Sequence, residues 1–99
     1  MNEVNMNLNN TKEQLKLSND IIDAHKYSIN HRSVIIKDKK CGCFYCMKIF
    51  SPAEINEWIE DKIDGTAICP YCGIDSVICE SSGFPITKEF LLEMNKYWF

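Results

Sequence analysis

The sequence contains the stretch Cys43-Phe-Tyr-Cys46 and, 22 residues further on, the stretch Cys69-Pro-Tyr-Cys72. In a Cys-x-x-Cys turn both thiolates can point at one metal ion, and two such turns supply four sulfur ligands. Gly73 directly follows the second turn, and glycine tolerates the positive φ that suits this position. The spacing therefore predicts one closed Zn²⁺ site that holds the fold together.

The chain has six cysteines, two more than a tetrahedral zinc site uses. The predicted ligands are Cys43, Cys46, Cys69 and Cys72, and the candidate substitutes are Cys41 and Cys79. Cys41 stands two residues before Cys43, so either thiol can enter the first turn. The simpler expectation for Cys41 and Cys79 is that both are small buried hydrophobic side chains.

Length and composition predict one small intracellular domain. A chain of 99 residues buries a modest core, so a structural metal is a common source of extra stability. The N-terminus lacks the basic and apolar regions of a signal peptide, and the longest aliphatic run, residues 34–36, is too short to cross a bilayer. We expect a cytoplasmic protein without a membrane partner, in a compartment where thiols stay reduced.

The chain divides into three segments. Residues 1–10 contain five Asn and predict a disordered tail. Residues 11–36 predict a helical segment that begins with a capping box of Thr11 and Gln14 and ends near Ile29 or Ile36. Its predicted apolar stripe consists of Leu15, Ser18, Ile21, Ile22, His25 and Ile29. Residues 37–99 form the predicted zinc-binding core with two helices.

The first core helix carries the strongest local signals. Ser51-Pro52-Ala53-Glu54 combines an N-cap serine, a proline at the first helical position and a glutamate at the third. Its predicted apolar face is Ile55, Trp58, Ile59 and Ile63, and Asp64-Gly65 would end it. Short strands are expected over 66–68 and 74–79, and Thr87 is the predicted cap of a last helix. The expected fold is α+β, with flanking helices around a zinc-ribbon-like or treble-clef-like core.

Catalytic interpretations fit the sequence poorly. Cys69-Pro-Tyr-Cys72 is also the glutaredoxin active-site tetrapeptide, but that chemistry needs the first cysteine at a helix N-terminus. Here Gly73 and the β-branched stretch 74–78 follow, and only 27 residues remain after Cys72. Neither His25 nor His31 has the His-x-Glu context of a zinc deaminase, and both are expected to be polar or helix-surface residues. We therefore expect a protein that is not an enzyme.

Charge distinguishes two classes of binding partner. Residues 1–50 carry a formal +3 and residues 51–99 a formal −6. Candidate nucleic-acid contacts are Arg32, Lys39, Lys40 and Lys48, although the same lysines could offset the negative charge of a zinc–thiolate centre. Because counterion release drives nucleic-acid binding, the acidic balance disfavours that partner.

From Lys40 onward the chain resembles a small bacterial family described only as cytoplasmic proteins. The matching stretches are Cys41-Gly-Cys-Phe-Tyr-Cys46, Ile49-Phe-Ser-Pro-Ala-Glu-Ile55, Thr66-Ala-Ile-Cys-Pro-Tyr-Cys-Gly-Ile-Asp-Ser-Val-Ile78, Gly83-Phe-Pro-Ile-Thr87 and Tyr97-Trp-Phe99. The resemblance covers about 60 residues and implies a bacterial or phage intracellular setting with a metal-binding cysteine core. It carries over no catalytic residue.

The leading functional hypothesis is a zinc-stabilised protein-interaction module. Its candidate contact surfaces are the acidic half, residues 51–99, and the aromatic end Tyr97-Trp98-Phe99, although Trp98 and Phe99 could instead pack into the core. A specific version is an inhibitor or immunity-type protein that blocks a basic enzyme by charge complementarity. The alternative is a zinc-dependent nucleic-acid-binding regulator.

Overall fold

A computed structural model describes residues 12–60 and 63–99, so the predicted tail and the Thr11 cap lie outside the described residues. Its α-helices are α1 (Lys12–Ala24), α2 (Arg32–Ile35) and α3 (Lys88–Trp98), with short 3₁₀ turns at His25–Ser28, Pro52–Glu54 and Glu80–Ser82. The strands are β1 (Cys41–Cys43), β2 (Ile49–Phe50), β3 (Trp58–Glu60), β4 (Gly65–Ala67) and β5 (Val77–Cys79). The predicted α+β class is confirmed. None of the helices within these two ranges has the length and apolar character needed to cross a membrane.

Strand β1 is the centre of the fold. It pairs antiparallel with β2 on one side and with β5 on the other, while β3 and β4 form a separate antiparallel pair. Because side chains alternate across a strand, Cys41 and Cys43 face one way and Gly42 faces the other. The core is divided accordingly. The cysteine side contains Ile35, Cys41, Cys43, Phe50, Ile55, Ala67, Cys69, Val77 and Cys79, and the helix side contains Ile21, Ala24, Phe44, Ile78, Ile86, Phe90, Leu91 and Met94.

Helix α3 packs very closely on β1. A Cβ atom at Gly42 would lie 2.7 Å from Leu91 Cδ1 and 3.1 Å from Ile86 Cγ2, so only glycine allows this approach. Thr87 caps the helix, as predicted, because its hydroxyl accepts a hydrogen bond from Phe90 N–H. At the other end Trp98 Nε1 donates to Ile21 O at 3.2 Å. These contacts fix α3 between the sheet and α1.

The N-terminal helical segment differs from its prediction in two ways. Helix α1 ends at Ala24, and after the 3₁₀ turn Asn30 adopts a φ of +51° that separates the chain from α2. Helical structure therefore runs from Lys12 to Ser28 and ends beside Ile29, the first of the two predicted ends, whereas a continuous helix to Ile36 is wrong. The apolar stripe is also wrong in part: Ile21 is buried, whereas Leu15 is 54% and Ile22 43% exposed. Which face of α1 is buried depends on where α3 packs. The sequence of α1 alone does not determine where α3 packs.

The predicted helix over residues 51–64 is wrong. Ser51 and Glu54 do form the capping box, with Ser51 N–H donating to Glu54 Oε2 at 3.0 Å, but helical structure stops after the 3₁₀ turn Pro52–Glu54. The chain then becomes extended as β3, which pairs with β4. Pairing with a distant strand overrides the local helical preference. The described residues of the segment 37–99 thus hold one α-helix rather than two, while the strands expected near 66–68 and 74–79 are present as β4 and β5.

Candidate metal centre

The two cysteine turns have the same backbone conformation. In the first, Met47 N–H donates to Cys43 O at 2.8 Å, and in the second, Gly73 N–H donates to Cys69 O at 2.9 Å. The residue after each second cysteine has positive φ, +62° at Met47 and +78° at Gly73. Gly73 therefore has the positive φ that was expected at this position. The first turn reaches the same geometry with a methionine, at a steric cost that glycine avoids.

Backbone amides point at the first sulfur of each turn. Tyr45 N–H lies 3.3 Å from Cys43 Sγ, and Tyr71 N–H lies 3.4 Å from Cys69 Sγ. Such bonds favour the thiolate, since an N–H group stabilises negative charge on its acceptor. In each turn the backbone thus stabilises negative charge on one sulfur, which suits a bound cation.

The fold brings the two turns together into one cluster. All four Sγ atoms of Cys43, Cys46, Cys69 and Cys72 lie within 4.8 Å of one another. Cys43 Sγ is 3.6 Å from Cys72 Sγ, and Cys46 Sγ is 3.8 Å from Cys69 Sγ. A tetrahedron with Zn–S bonds of about 2.3 Å has edges of about 3.8 Å. The four sulfurs therefore fit a tetrahedral metal ion.

The electrostatics of the cluster favour a bound cation. Burial raises the pKa of Cys69 to about 11, although N–H groups of its turn oppose the rise. Burial also raises the pKa of Cys72, and the neighbouring Cys43 adds to that increase. For Cys43 burial acts in the same direction, but hydrogen bonds from Ser76 Oγ and from two backbone amides outweigh it and lower the pKa. Four thiolates in this space repel one another, and a divalent ion removes that penalty.

Cys41 and Cys79 lie outside the four-sulfur cluster. They are register partners across β1 and β5, and both are buried, at 0% and 2% exposure. Cys41 Sγ donates to Phe50 O at 3.4 Å. Burial raises the pKa of Cys79 to about 12 and that of Cys41 further. Both therefore have the burial and the neutral thiol expected of small hydrophobic side chains.

The basic residues predicted as nucleic-acid contacts make different contacts in the fold. Arg32 forms a 2.8 Å ion pair with Glu60 and lies 4.8 Å over the ring of Trp58. Lys48 Nζ lies 5.0 Å from the ring centroid of Tyr71, next to the second cysteine turn. The remaining two candidates, Lys39 and Lys40, donate their backbone N–H groups to Glu80 Oε1.

His31 is a buried structural residue, so the expected polar role holds and the expected helix-surface position is wrong. It is 4% exposed, and its Nε2 accepts a hydrogen bond from Ala67 N–H at 2.9 Å. That assignment puts the proton on Nδ1, which donates to Tyr27 O at 2.8 Å. Burial lowers the pKa of His31. No spacing pattern in the sequence indicates this role, because Ala67 lies 36 residues away and comes near His31 only in the folded chain.

The aromatic end is partly packed and partly open. Trp98 is half-buried, and its ring lies 4.0 Å from that of His25. Phe99 is 61% and Tyr97 57% exposed, although Phe99 also contacts the rings of Phe44 and Tyr45. Of the two residues that could pack into the core, Trp98 is thus partly packed, whereas Phe99 stays mostly exposed.

Comparisons with models of known families, with curated proteins and with solved structures give no match for this chain.

Proposed function

We propose that the protein is a zinc-stabilised interaction module, in which a structural Zn²⁺ held by Cys43, Cys46, Cys69 and Cys72 supports a protein-binding surface. The observation that carries the proposal is the convergence of these four sulfurs within 4.8 Å. Four protein ligands complete a tetrahedral shell and leave no position to activate water, so the role of the ion is structural. The two turns at strand ends also support the zinc-ribbon-like interpretation.

Zinc is proposed rather than iron because the role assigned to the ion is structural. Four thiolates suit either ion in tetrahedral geometry, but iron sites serve electron transfer. The test is elemental analysis of protein purified without chelators or added metal. One zinc per chain and a colourless solution support the proposal, whereas one iron with visible thiolate absorption contradicts it.

The protein-binding role is supported by the aromatic end. Tyr97 and Phe99 expose more than half of their surface, and the ring of Phe99 lies 4.8 Å from that of Tyr45 in the first cysteine turn. Exposed aromatic side chains held on a rigid support are typical of interface hot spots. The formal charge of −6 on residues 51–99 adds a preference for a basic partner.

Affinity purification with matched variants tests this role. The tagged protein is compared with a Tyr97→Ser/Phe99→Ser variant and with Ile36→Ser, which removes a 58%-exposed apolar side chain on a different element. A stoichiometric protein that is retained by Ile36→Ser and lost from the double variant supports the proposal. Recovery of nucleic acid, with binding that weakens steeply with salt, would instead support the alternative regulator.

A further inference from the structure

A cavity of about 250 Å³ lies between the aromatic end and the second cysteine turn. Its walls include four aromatic rings, from His25, Phe44, Trp98 and Phe99, and the polar side chains of Asp75 and Ser76. This volume is below the range typical of drug-sized ligands. The cavity therefore suits one side chain or a small molecule rather than a dinucleotide.

The aromatic rings form a continuous wall. The ring of His25 lies 4.0 Å from that of Trp98 and 5.8 Å from that of Phe44, and Phe44 lies 5.9 Å from Phe99. Phe44 is 2% exposed, so it belongs to the buried part of the lining, whereas Phe99 is open to solvent. A guest in the cavity would lie beside several of these rings and would stack only on the faces that the His25–Trp98 contact leaves open. Such faces attract cations through their quadrupole.

Asp75 and His25 both supply polar groups to the cavity lining. Within residues 12–60 and 63–99, neither the Asp75 carboxylate nor the His25 ring nitrogens make a hydrogen bond or an ion pair. An aromatic cavity with a few unengaged polar groups is the usual composition of a ligand site. The Asp75 side chain is exposed, so water solvates its charge, and only a cationic guest would gain an electrostatic attraction to it.

The metal centre adds negative charge behind the cavity. Ser76 lines the cavity, and its hydroxyl lies 3.0 Å from Cys43 Sγ. With Zn²⁺ bound, four thiolates would give the centre a formal charge of −2. This charge and Asp75 both favour a positive guest over a neutral or an anionic one.

We propose that this cavity binds the guanidinium group of an arginine side chain presented by a protein partner. A guanidinium is flat enough to stack on aromatic faces, and its parallel N–H groups can bond a carboxylate such as Asp75 with two hydrogen bonds. An ammonium is more strongly hydrated and lacks the planar shape. The inference rests on the proposed interaction role and specifies the chemistry of the partner.

The test is to titrate the zinc-loaded full chain with three capped tripeptides. Binding of each peptide is measured from changes in the NMR chemical shifts of the protein. The peptides are acetyl-Gly-Arg-Gly-amide, its citrulline analogue, which is neutral and nearly isosteric, and its lysine analogue. We expect the arginine peptide to shift the Asp75 and Ser76 amides and the Trp98 indole N–H. The citrulline peptide should bind at least about 10-fold more weakly, because it lacks the charge-assisted bonds.

Variants separate the cavity from the rest of the surface. Asp75→Asn should weaken binding of the arginine peptide at least about 10-fold while zinc content and circular dichroism stay unchanged. Glu57→Gln, which alters an exposed carboxylate outside the cavity lining, should leave binding unchanged.

Three outcomes overturn the inference: no shift at the cavity with the arginine peptide, equal binding of the arginine and citrulline peptides, or equal binding of the arginine and lysine peptides. Binding of free agmatine without binding of the arginine peptide also overturns it, since the cavity then serves a small ligand. A partner captured through Tyr97 and Phe99 would still support the interaction role in each of these cases.

Discussion

The Sγ atom of Cys43 lies 3.6 Å from the Sγ atom of Cys72, so the first cysteine of one turn meets the second cysteine of the other. Cys46 and Cys69 meet in the complementary way at 3.8 Å. In the cluster, each sulfur of the first turn therefore lies against a sulfur of the second turn. The first turn connects β1 to β2 and the second connects β4 to β5, so one ion would tie the three-stranded sheet β2-β1-β5 to the separate β3–β4 pair.

Removing one sulfur of the cluster should abolish metal binding. We expect Cys46→Ser to lose zinc and its cooperative unfolding transition, because three thiolates no longer complete the tetrahedral shell. Elemental analysis and thermal melting measure both effects. The matched control is Cys79→Ala, which removes a buried thiol outside the cluster and should retain one zinc per chain at a cost of about 1 kcal/mol. Zinc loss from Cys79→Ala would show that the ligand set is different.

Chelation should unfold the cysteine side of the core. Zinc contributes about 10–16 kcal/mol to small zinc-binding folds at neutral pH, whereas a core of this size supplies only about 3–5 kcal/mol. We expect a strong chelator to remove the near-ultraviolet circular dichroism of the aromatic residues and the protection of β1 and β5 amides from exchange. Adding Zn²⁺ back should restore both signals. An unchanged spectrum after complete metal removal would contradict a structural role.

Stability should fall as the solution is acidified below about pH 6.5, partly because of His31. Burial lowers the pKa of His31 in the folded state, so the unfolded chain binds the proton more readily. The stabilising contribution is complete above the unfolded pKa of about 6.5 and is lost as the pH falls towards the lowered folded value, with a slope of at most about 1.4 kcal/mol per pH unit. Denaturant unfolding between pH 8 and pH 5.5 measures this slope.

A variant isolates this effect from acid release of the metal. His31→Gln keeps an oxygen that can accept from Ala67 N–H but does not titrate. Its stability should depend less steeply on pH than that of the parent protein, while its zinc content follows the same pH curve. Identical slopes for the two proteins would rule out the contribution of His31.

Gly42→Ala should destabilise the protein by about 1–3 kcal/mol, the usual cost of overpacking a core. The new Cβ would lie 2.7 Å from Leu91 Cδ1, and α3 cannot retreat without losing its contacts with β1 and α1. Leu91→Ala removes the clashing atom, so the double variant should be more stable than the sum of the two single losses predicts. Additive losses, measured by chemical denaturation, would contradict the proposed close approach.

The cysteine site was largely predictable from sequence, and the central part of the fold was not. A Cys-x-x-Cys turn is a local structure, so its four residues identify it wherever it occurs. The same holds for the Thr87 cap and for the Ser51–Glu54 capping box, which form as expected. The predicted helix after Ser51 failed because β4 supplies the hydrogen bonds of β3, and this pairing partner is not a neighbour in the chain.

The arrangement of side chains around the cavity and His31 could not be predicted at all. His31 bonds to Ala67 across 36 residues, and Trp98 bonds to Ile21 across 77. No periodic pattern links residues at such separations, since each contact depends on where whole elements pack. The buried face of α1 was missed for the same reason.

The sequence by itself determined the four candidate ligands, the two turns that present them and the capped start of α3, because short-range backbone geometry and hydrogen bonding fix these features. Only the tertiary structure decided which sulfurs face one another, that Cys41 and Cys79 stand apart from the cluster, and that Asp75 lines an aromatic cavity. These relationships arise when the sheet and helices bury their apolar faces together, and the burial of one element sets the surroundings of another.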